Sequence, residues 1–297
     1  MKLKKKLRYS ALNIVTHPHS QQNYVKLFFA LGKLEHPVKL RGDCYATISH
    51  VGYQDKTDKP NSPIIGEIVK YTNIDKDAEW YDIKSQDVAT EEDLVHVKSL
   101  PDHLKPNMAK FSFIFYPDTH LLIFESLYDQ KPLSPNYAHA LFDSLCERTE
   151  ISSNFGDVTV TIVPQMHEID AILSMSGLYY LRMVTTRPNP DQLTRTEGKV
   201  KARLADINAY SEERIIKSSR DNELRLDEVL KLEAKVAAKN GSVDLKRKNA
   251  SGKTEPFNTK EHPLMEDNFY DPAVSSPYDE LVRVGRGLKE RITNWIS

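Results

Sequence analysis

The sequence has few cysteines and no long apolar run. Cys44 and Cys146 are too few for a disulfide framework and lack the Cys/His spacing of a zinc site. The longest unbroken apolar run spans residues 27–31, far short of the roughly 18 residues that a membrane span needs. The basic residues near the start are not followed by the apolar core of a signal peptide. We therefore expect a cytoplasmic protein that does not insert into the membrane.

Motifs with a known chemical mechanism are also missing. No GxGxxG and no Walker lysine loop is present, which argues against nucleotide binding, and no GxSxG marks a serine nucleophile. The strongest metal candidate among ten histidines is His17-Pro18-His19 with His50. No carboxylate stands at a spacing typical of metal sites, so we interpret His17 and His19 as structural residues of a strand-to-helix turn. The sequence thus predicts a non-enzymatic protein with no cofactor and no metal ion.

Charge is balanced overall but unevenly distributed. The net charge is -1, yet residues 195–260 hold sixteen Lys and Arg against eleven Asp and Glu, and residues 75–93 are acidic. Such asymmetry can steer an anionic partner to one side of a protein. Clustered cations bind phosphates by releasing condensed counterions. We therefore expect nucleic-acid binding through six basic residues, Lys199, Lys201, Arg203, Lys246, Arg247 and Lys248.

Apolar periodicity predicts an α+β fold of mostly antiparallel sheets covered by helices. Residues 104–126 contain two runs rich in aromatic and β-branched residues around a Pro117-Asp118-Thr119-His120 turn, which indicates a central hairpin. Ser134 and Pro135 are a typical N-cap and first residue of a helix. The other strands are expected at 7–16, 38–40, 44–51, 64–71, 80–83, 158–163 and 178–185. The other helices are expected at 21–34 and 169–174, with one or two helical turns at 91–97.

The chain is expected to form three units. They are an N-terminal β-α-β unit (1–100), a central β-β-α-β-α-β unit (101–192) and a charged C-terminal region (193–297). The last region contains helices at 199–210 and 227–239, a surface hairpin of 243–248 with 254–258, and a final helix at 278–296. An apolar stripe on that helix predicts a homodimer contact through Leu281, Val282, Leu288, Ile292 and Trp295.

Several local motifs together resemble a bacterial family of domains of unknown function over nearly the full length. They are His17-Pro18-His19-Ser20, Leu40-Arg41-Gly42-Asp43, Leu104-Lys105-Pro106-Asn107, Thr186-Arg187-Pro188-Asn189-Pro190-Asp191 and Glu261-His262-Pro263-Leu264. The order of elements in residues 110–190 is also distantly similar to the phage exclusion proteins typified by RexA of phage lambda, cytoplasmic DNA-binding sensors that act with a membrane partner.

The resemblance implies a sensor or effector of anti-phage defence or abortive infection that binds DNA or a nucleoprotein complex. Two alternatives remain open at this point. One is a metal-dependent nuclease or hydrolase that uses His17 and His19, and the other is a protein-binding partner of a neighbouring gene product. Binding that depends on salt without turnover favours the first interpretation, and metal-dependent cleavage favours the nuclease.

Overall fold

The computed structural model describes residues 4–17, 19–188, 193–220 and 222–296. Helices and antiparallel strands are both abundant within these ranges, so the predicted α+β class is confirmed. Pro18 and residues 189–191, which belong to two of the sequence motifs, lie outside the described residues. Across the described ranges, no helix combines the length and apolar character needed to cross a membrane.

The larger sheet has nine strands. Its main path, in spatial order, is β10 (Asp157–Ile162), β1 (Lys5–His17), β8 (Leu121–Tyr128), β7 (Ala109–Tyr116), β4 (Ile64–Thr72), β3 (Cys44–Tyr53) and β2 (Val38–Arg41). The two-residue strand β9 (Lys131–Pro132) pairs with β8, and β15 (Glu266–Tyr270) pairs with β1. The predicted central hairpin is β7 and β8, with Phe113 opposite Phe124.

Strand β1 is paired along both edges. One edge pairs with β8, and the other pairs with β15 over its first part and with β10 over its second. Nearly all of its residues from Leu7 to Thr16 are buried. A strand buried on both faces reads as a nearly continuous apolar run and needs a packing layer on each side.

Helices supply those two layers. One face is covered by α1 (Gln21–Leu31), α3 (Pro135–Cys146) and α4 (Thr149–Phe155), whose Tyr24, Phe28 and Phe142 join the aromatic core of the sheet. The caps follow the sequence expectations, since the Ser20 and Ser134 side chains accept hydrogen bonds from backbone N–H groups in the first turns of α1 and α3. The opposite face is covered by α8 (Pro277–Asn294).

The apolar stripe of α8 is covered by the chain's own sheet. Leu281, Leu288 and Ile292 are fully buried in the core on that face, and Val282 packs against the same core. Trp295 is half-buried, and its indole N–H lies 3.2 Å from both carboxylate oxygens of Asp170. This corrects the basis of the homodimer expectation, because these side chains need no second subunit to leave water.

A second, four-stranded sheet has the order β12 (Ser211–Lys217), β11 (Leu178–Thr186), β13 (Gly241–Lys248) and β14 (Thr254–Asn258). One of its faces packs on α5 (Met166–Leu173) and α7 (Glu228–Asn240), and α6 (Arg195–Asp206) packs on α7 from outside. The predicted surface hairpin is therefore the β13–β14 half of this sheet. A single 3-10 turn (Thr259–Glu261) follows β14.

The two sheets meet at a buried polar contact. The Asn13 side chain on β1 donates hydrogen bonds to the Lys239 carbonyl at 3.1 Å and the Asn240 side-chain oxygen at 3.2 Å. The Lys239 ammonium in turn lies 3.0 Å from the Glu197 carboxylate, which is 2% exposed. Because each buried polar group has a partner, this contact fixes how α7 meets the large sheet.

The predicted boundaries between units do not divide the sheets. The large sheet takes β1 to β4 from residues 1–100, β7 to β10 from 101–192 and β15 from 193–297. The second sheet likewise combines β11 with three strands of the C-terminal region. Chain order and spatial order differ because β1 pairs with strands more than a hundred residues away.

Residues 73–108 form an excursion between β4 and β7, which we call the acidic arm. It holds β5 (Tyr81–Asp82), β6 (Asp87–Val88) and α2 (Glu91–Lys98), and none of its residues is buried. Nine Asp and Glu stand against four Lys in this segment. The predicted helical turns at 91–97 are confirmed in α2, whose Thr90 and Asp93 form a capping box.

Glu125 is a buried carboxyl in the middle of the large sheet. Its side chain is on the α8 face, opposite Tyr9 of β1, and one oxygen accepts a hydrogen bond from the Ser112 N–H at 2.7 Å. Burial raises the pKa of Glu125 to about 7, and the Ser112 hydrogen bond opposes that rise. The folded state therefore favours the protonated form.

Replacing Glu125 with Gln removes a pH dependence of stability. Because the pKa of Glu125 is raised in the folded state, its contribution to stability is fully present below the ordinary pKa near 4.5. That contribution is lost as pH rises through about 7. We expect the wild type to lose about 3 kcal/mol relative to Glu125→Gln over that window. Urea unfolding at several pH values measures the difference. The exposed control Glu35→Gln should follow the wild type, and parallel wild-type and Glu125→Gln curves would contradict the assignment.

Candidate nucleic-acid interface

One face of the four-stranded sheet is open to solvent. Side chains alternate along its strands, so Leu181, Met183, Val243 and Leu245 point to α5 and α7. Their neighbours in sequence point to the other side, where Ile215 is 49% exposed and Lys246 is exposed. A sheet with helices on one side only offers its second face to a ligand.

One row across this open face places a tyrosine between two lysines. The strand register sets Lys217 of β12 opposite Tyr180 of β11, Tyr180 opposite Lys246 of β13, and Lys246 opposite Pro256 of β14. The Lys246 ammonium lies 5.1 Å from the centroid of the Tyr180 ring. This distance is within the range of a cation–π contact, which holds the ammonium over one face of the ring.

An irregularity in β11 adds a second tyrosine to the same face. The pairing of β11 with β13 shifts between Leu178 and Tyr180, as in a β-bulge. The Tyr179 hydroxyl lies 3.2 Å from Thr254 Oγ1, and the Lys248 ammonium lies 6.0 Å from the Tyr179 ring centroid. Two consecutive tyrosines thus share one side of the sheet. We call Tyr179, Tyr180, Lys217, Lys246 and Lys248 the tyrosine–lysine face.

Gly177 permits the start of this strand. Its φ is +80°, and a Cβ at this position would lie 2.2 Å from the Lys248 carbonyl oxygen. Its N–H donates a 2.6 Å hydrogen bond to Glu223, and its carbonyl accepts one from the Lys248 N–H at 2.9 Å. A residue without a side chain is therefore required beside Tyr179 and Lys248.

The basic side chains on the open face differ in whether they pair with a carboxylate. Arg182 lies 2.6 Å from Glu213 and 2.8 Å from Asp244, and these hydrogen bonds raise the pKa of its guanidinium. By contrast, no carboxylate among residues that the structure describes forms an ion pair with Lys217, Lys246 or Lys248. The positive charge of the tyrosine–lysine face is thus available to a ligand.

The structure does not bring the six predicted basic residues together. Lys246 and Lys248 lie on the tyrosine–lysine face, but Arg247 points to the opposite side and lies 2.6 Å from Glu255. Arg203 on α6 pairs with Glu212 and Glu233. Lys199 and Lys201 are also on α6, which packs on the helical side of the sheet, so the expected single patch is split by the sheet itself.

Three residues of this face were not predicted from the sequence. Tyr179, Tyr180 and Lys217 were not among the expected site residues, and Lys217 belongs to β12, a strand that was missed. A period of two along 243–248 already separates Lys246 and Lys248 from Arg247. Adjacent tyrosines in a predicted strand were the other available signal.

The side chains of this face are chemically complementary to single-stranded nucleic acid. Bases have flat π surfaces that stack on aromatic side chains, and their phosphates are neutralised by lysines. Partly buried tyrosine rings on the open side of the sheet can contact bases that have left a duplex, and the Lys246 and Lys248 ammonium groups lie 5.1 Å and 6.0 Å from their centroids. RNA-recognition domains with a four-stranded sheet also stack bases on aromatic side chains of the sheet.

The histidines of the first motif make aromatic contacts. The His17 ring meets Tyr210 edge-on with centroids 5.7 Å apart, and burial lowers the pKa of His17. His19 packs on Tyr24 and His120, with centroids 5.5 Å and 5.1 Å away. Three strands, β8, β7 and β4, separate β1 from β3, which carries His50. At ordinary strand spacing His50 therefore lies about 19 Å from β1, and its ring bonds to Glu67. This separation keeps His50 out of any site formed by His17 and His19.

Comparison with known families identifies nearly the whole chain. The model of a family described as Domain of unknown function (DUF4747) matches residues 5–286, and the chain belongs to that family. No curated protein matches the sequence.

Substitutions on the open side of the sheet should destabilise the fold less than substitutions on its helical side. Tyr180→Ala should cost less than Leu181→Ala, because the Tyr180 ring is only partly buried whereas Leu181→Ala on the helical side leaves a core cavity that costs about 2–5 kcal/mol. Urea unfolding of the two variants measures this contrast. Equal losses would show that the tyrosine side of the sheet is covered.

Proposed function

We propose that this member of the DUF4747 family binds single-stranded nucleic acid on its tyrosine–lysine face. The observation that supports the proposal is the pair of consecutive tyrosine rings on an open sheet, each with a lysine ammonium over one face of the ring. Stacking on the rings supplies contact with any base, and the lysines supply attraction to the backbone. Binding of this kind has little sequence preference.

The geometry favours a single strand over a duplex. In a duplex the base faces are stacked on each other, so tyrosine rings on a flat surface can reach only the backbone or the groove edges. Single-stranded DNA and single-stranded RNA offer the same stacking faces and phosphates. DNA is the ligand expected from the resemblance to phage exclusion proteins, and parallel titrations with the two strands decide between them.

The biological setting that we propose is anti-phage defence or abortive infection in the cytoplasm. Its support is the sequence resemblance to phage exclusion proteins. In this setting the chain acts as a sensor or effector, without catalysis, together with a protein encoded by an adjacent gene. A single strand exposed during phage replication is a ligand that such a sensor could report.

Removing a tyrosine ring should weaken binding. We expect Tyr180→Ala to lower affinity for a labelled single-stranded oligonucleotide about 5- to 100-fold, because one base–aromatic stack is lost. Tyr180→Phe keeps the ring and should bind like the wild type. Fluorescence anisotropy measures both variants, with Tyr81→Ala on the acidic arm as an exposed control. Full affinity in Tyr180→Ala, or tighter binding of a duplex by the wild type, would contradict the proposal.

The lysines should determine the salt dependence. Replacing Lys246 and Lys248 with Gln should reduce the slope of log affinity against log salt by about 0.7 for each lysine that contacts a phosphate. The matched control is Lys26→Gln with Lys33→Gln. It removes the same charge from exposed positions on and just after α1, which packs on the large sheet. Lys199→Gln tests the helical side separately. The proposal is wrong if Lys199→Gln changes the slope and the Lys246 and Lys248 changes do not.

A further inference from the structure

The acidic arm, residues 73–108, exposes apolar side chains that a folded segment normally buries. Ile83 is 81% exposed, Tyr81 66% and Leu104 60%, and every residue from 98 to 108 is exposed. Isolated exposed apolar residues are ordinary on protein surfaces, but a concentration of them in one segment marks an interaction site. No comparable concentration occurs elsewhere on the described surface.

The arm has little to hold it folded by itself. Helix α2 has eight residues, fewer than the about 12–15 that a helix in water needs, and none of them is buried. Its ion pairs, such as Lys98 with Glu91 at 2.6 Å and Lys76 with Asp102 at 2.5 Å, are on the surface and contribute little. The ends are anchored to the sheet, since the Thr72 N–H donates to the Pro106 carbonyl and the Asn73 N–H to the Asp43 carbonyl.

An apolar groove runs along the second half of the arm. It has a volume of about 270 Å³ and is lined by Ile74, Leu100, Leu104 and two prolines, together with the charged residues Lys76, Lys105 and Asp102. Lys76 pairs with Asp102 in this lining, and the arm as a whole carries nine acidic residues against four lysines. The complementary ligand is a segment with apolar side chains for the groove and positive charge for the surroundings.

We propose that the acidic arm is the docking site for a basic amphipathic segment of a different protein. Charge argues against three other occupants. A second copy that paired arm to arm would bring two net negative surfaces together, and nucleic acid or an anionic membrane would be repelled in the same way. A contact between the arm and the basic face of another copy would appear as self-association in the test below. The inference is independent of the nucleic-acid proposal, because the arm and the tyrosine–lysine face are separate surfaces of opposite charge.

A synthetic helical peptide of leucine and lysine is the probe, and a peptide of the same length with glutamate in place of lysine is its control. We expect the full chain to bind the lysine peptide at least about tenfold more tightly than the glutamate peptide. Hydrogen exchange should slow in residues 91–108 on binding and nowhere else. Leu100→Ser with Leu104→Ser should reduce affinity at least about tenfold, and neither change affects the core.

The matched control is Ile207→Ser with Val274→Ser, which changes two exposed apolar residues outside the arm. This variant should bind the lysine peptide like the wild type. Absence of binding, equal binding of the two peptides, slowed exchange outside the arm, or full affinity in the Leu100 and Leu104 variant would each overturn the proposal. Self-association of the wild type that the same variant abolishes would also overturn it, because the occupant would then be a second copy.

Discussion

The burial of β1 on both faces and its pairing on both edges is the constraint on which the rest of the structure depends. Such a strand needs helices above and below, so α1 and α3 must close one side and the distant α8 the other. The same strand carries Asn13, which bonds to the end of α7 and so attaches the second sheet. Loss of this strand would remove both cores and the position of the tyrosine–lysine face together.

Much of the local structure could be predicted because it is encoded in nearby residues. The β7–β8 hairpin follows from its aromatic runs and Pro-Asp turn, and α3 from Ser134 and Pro135. Strand β12 could not be predicted, since its exposed and charged side chains show no apolar alternation and its conformation comes from pairing with β11. The stripe of α8 was recognised as buried, but periodicity cannot tell a chain's own sheet from a second subunit.

The candidate interface was only partly predictable for the same reason. Lysines in one basic segment are neighbours in sequence, but a sheet separates Lys246 from Arg247, and α7 separates Lys246 from Lys199. The bulge that brings Tyr179 beside Tyr180 depends on pairing between strands more than sixty residues apart. In the folded chain the large sheet is the scaffold, and the two surfaces for which we propose binding lie on the smaller sheet and on an arm of opposite charge.

Photochemical cross-linking tests the central claim most directly. A single-stranded oligonucleotide containing 5-iodouracil reacts with aromatic side chains against which its bases stack, and mass spectrometry of the digested complex identifies them. The account predicts cross-links at Tyr179 and Tyr180 that unlabelled single strand competes away. Cross-links confined to other exposed tyrosines, such as Tyr81 or Tyr278, would contradict it.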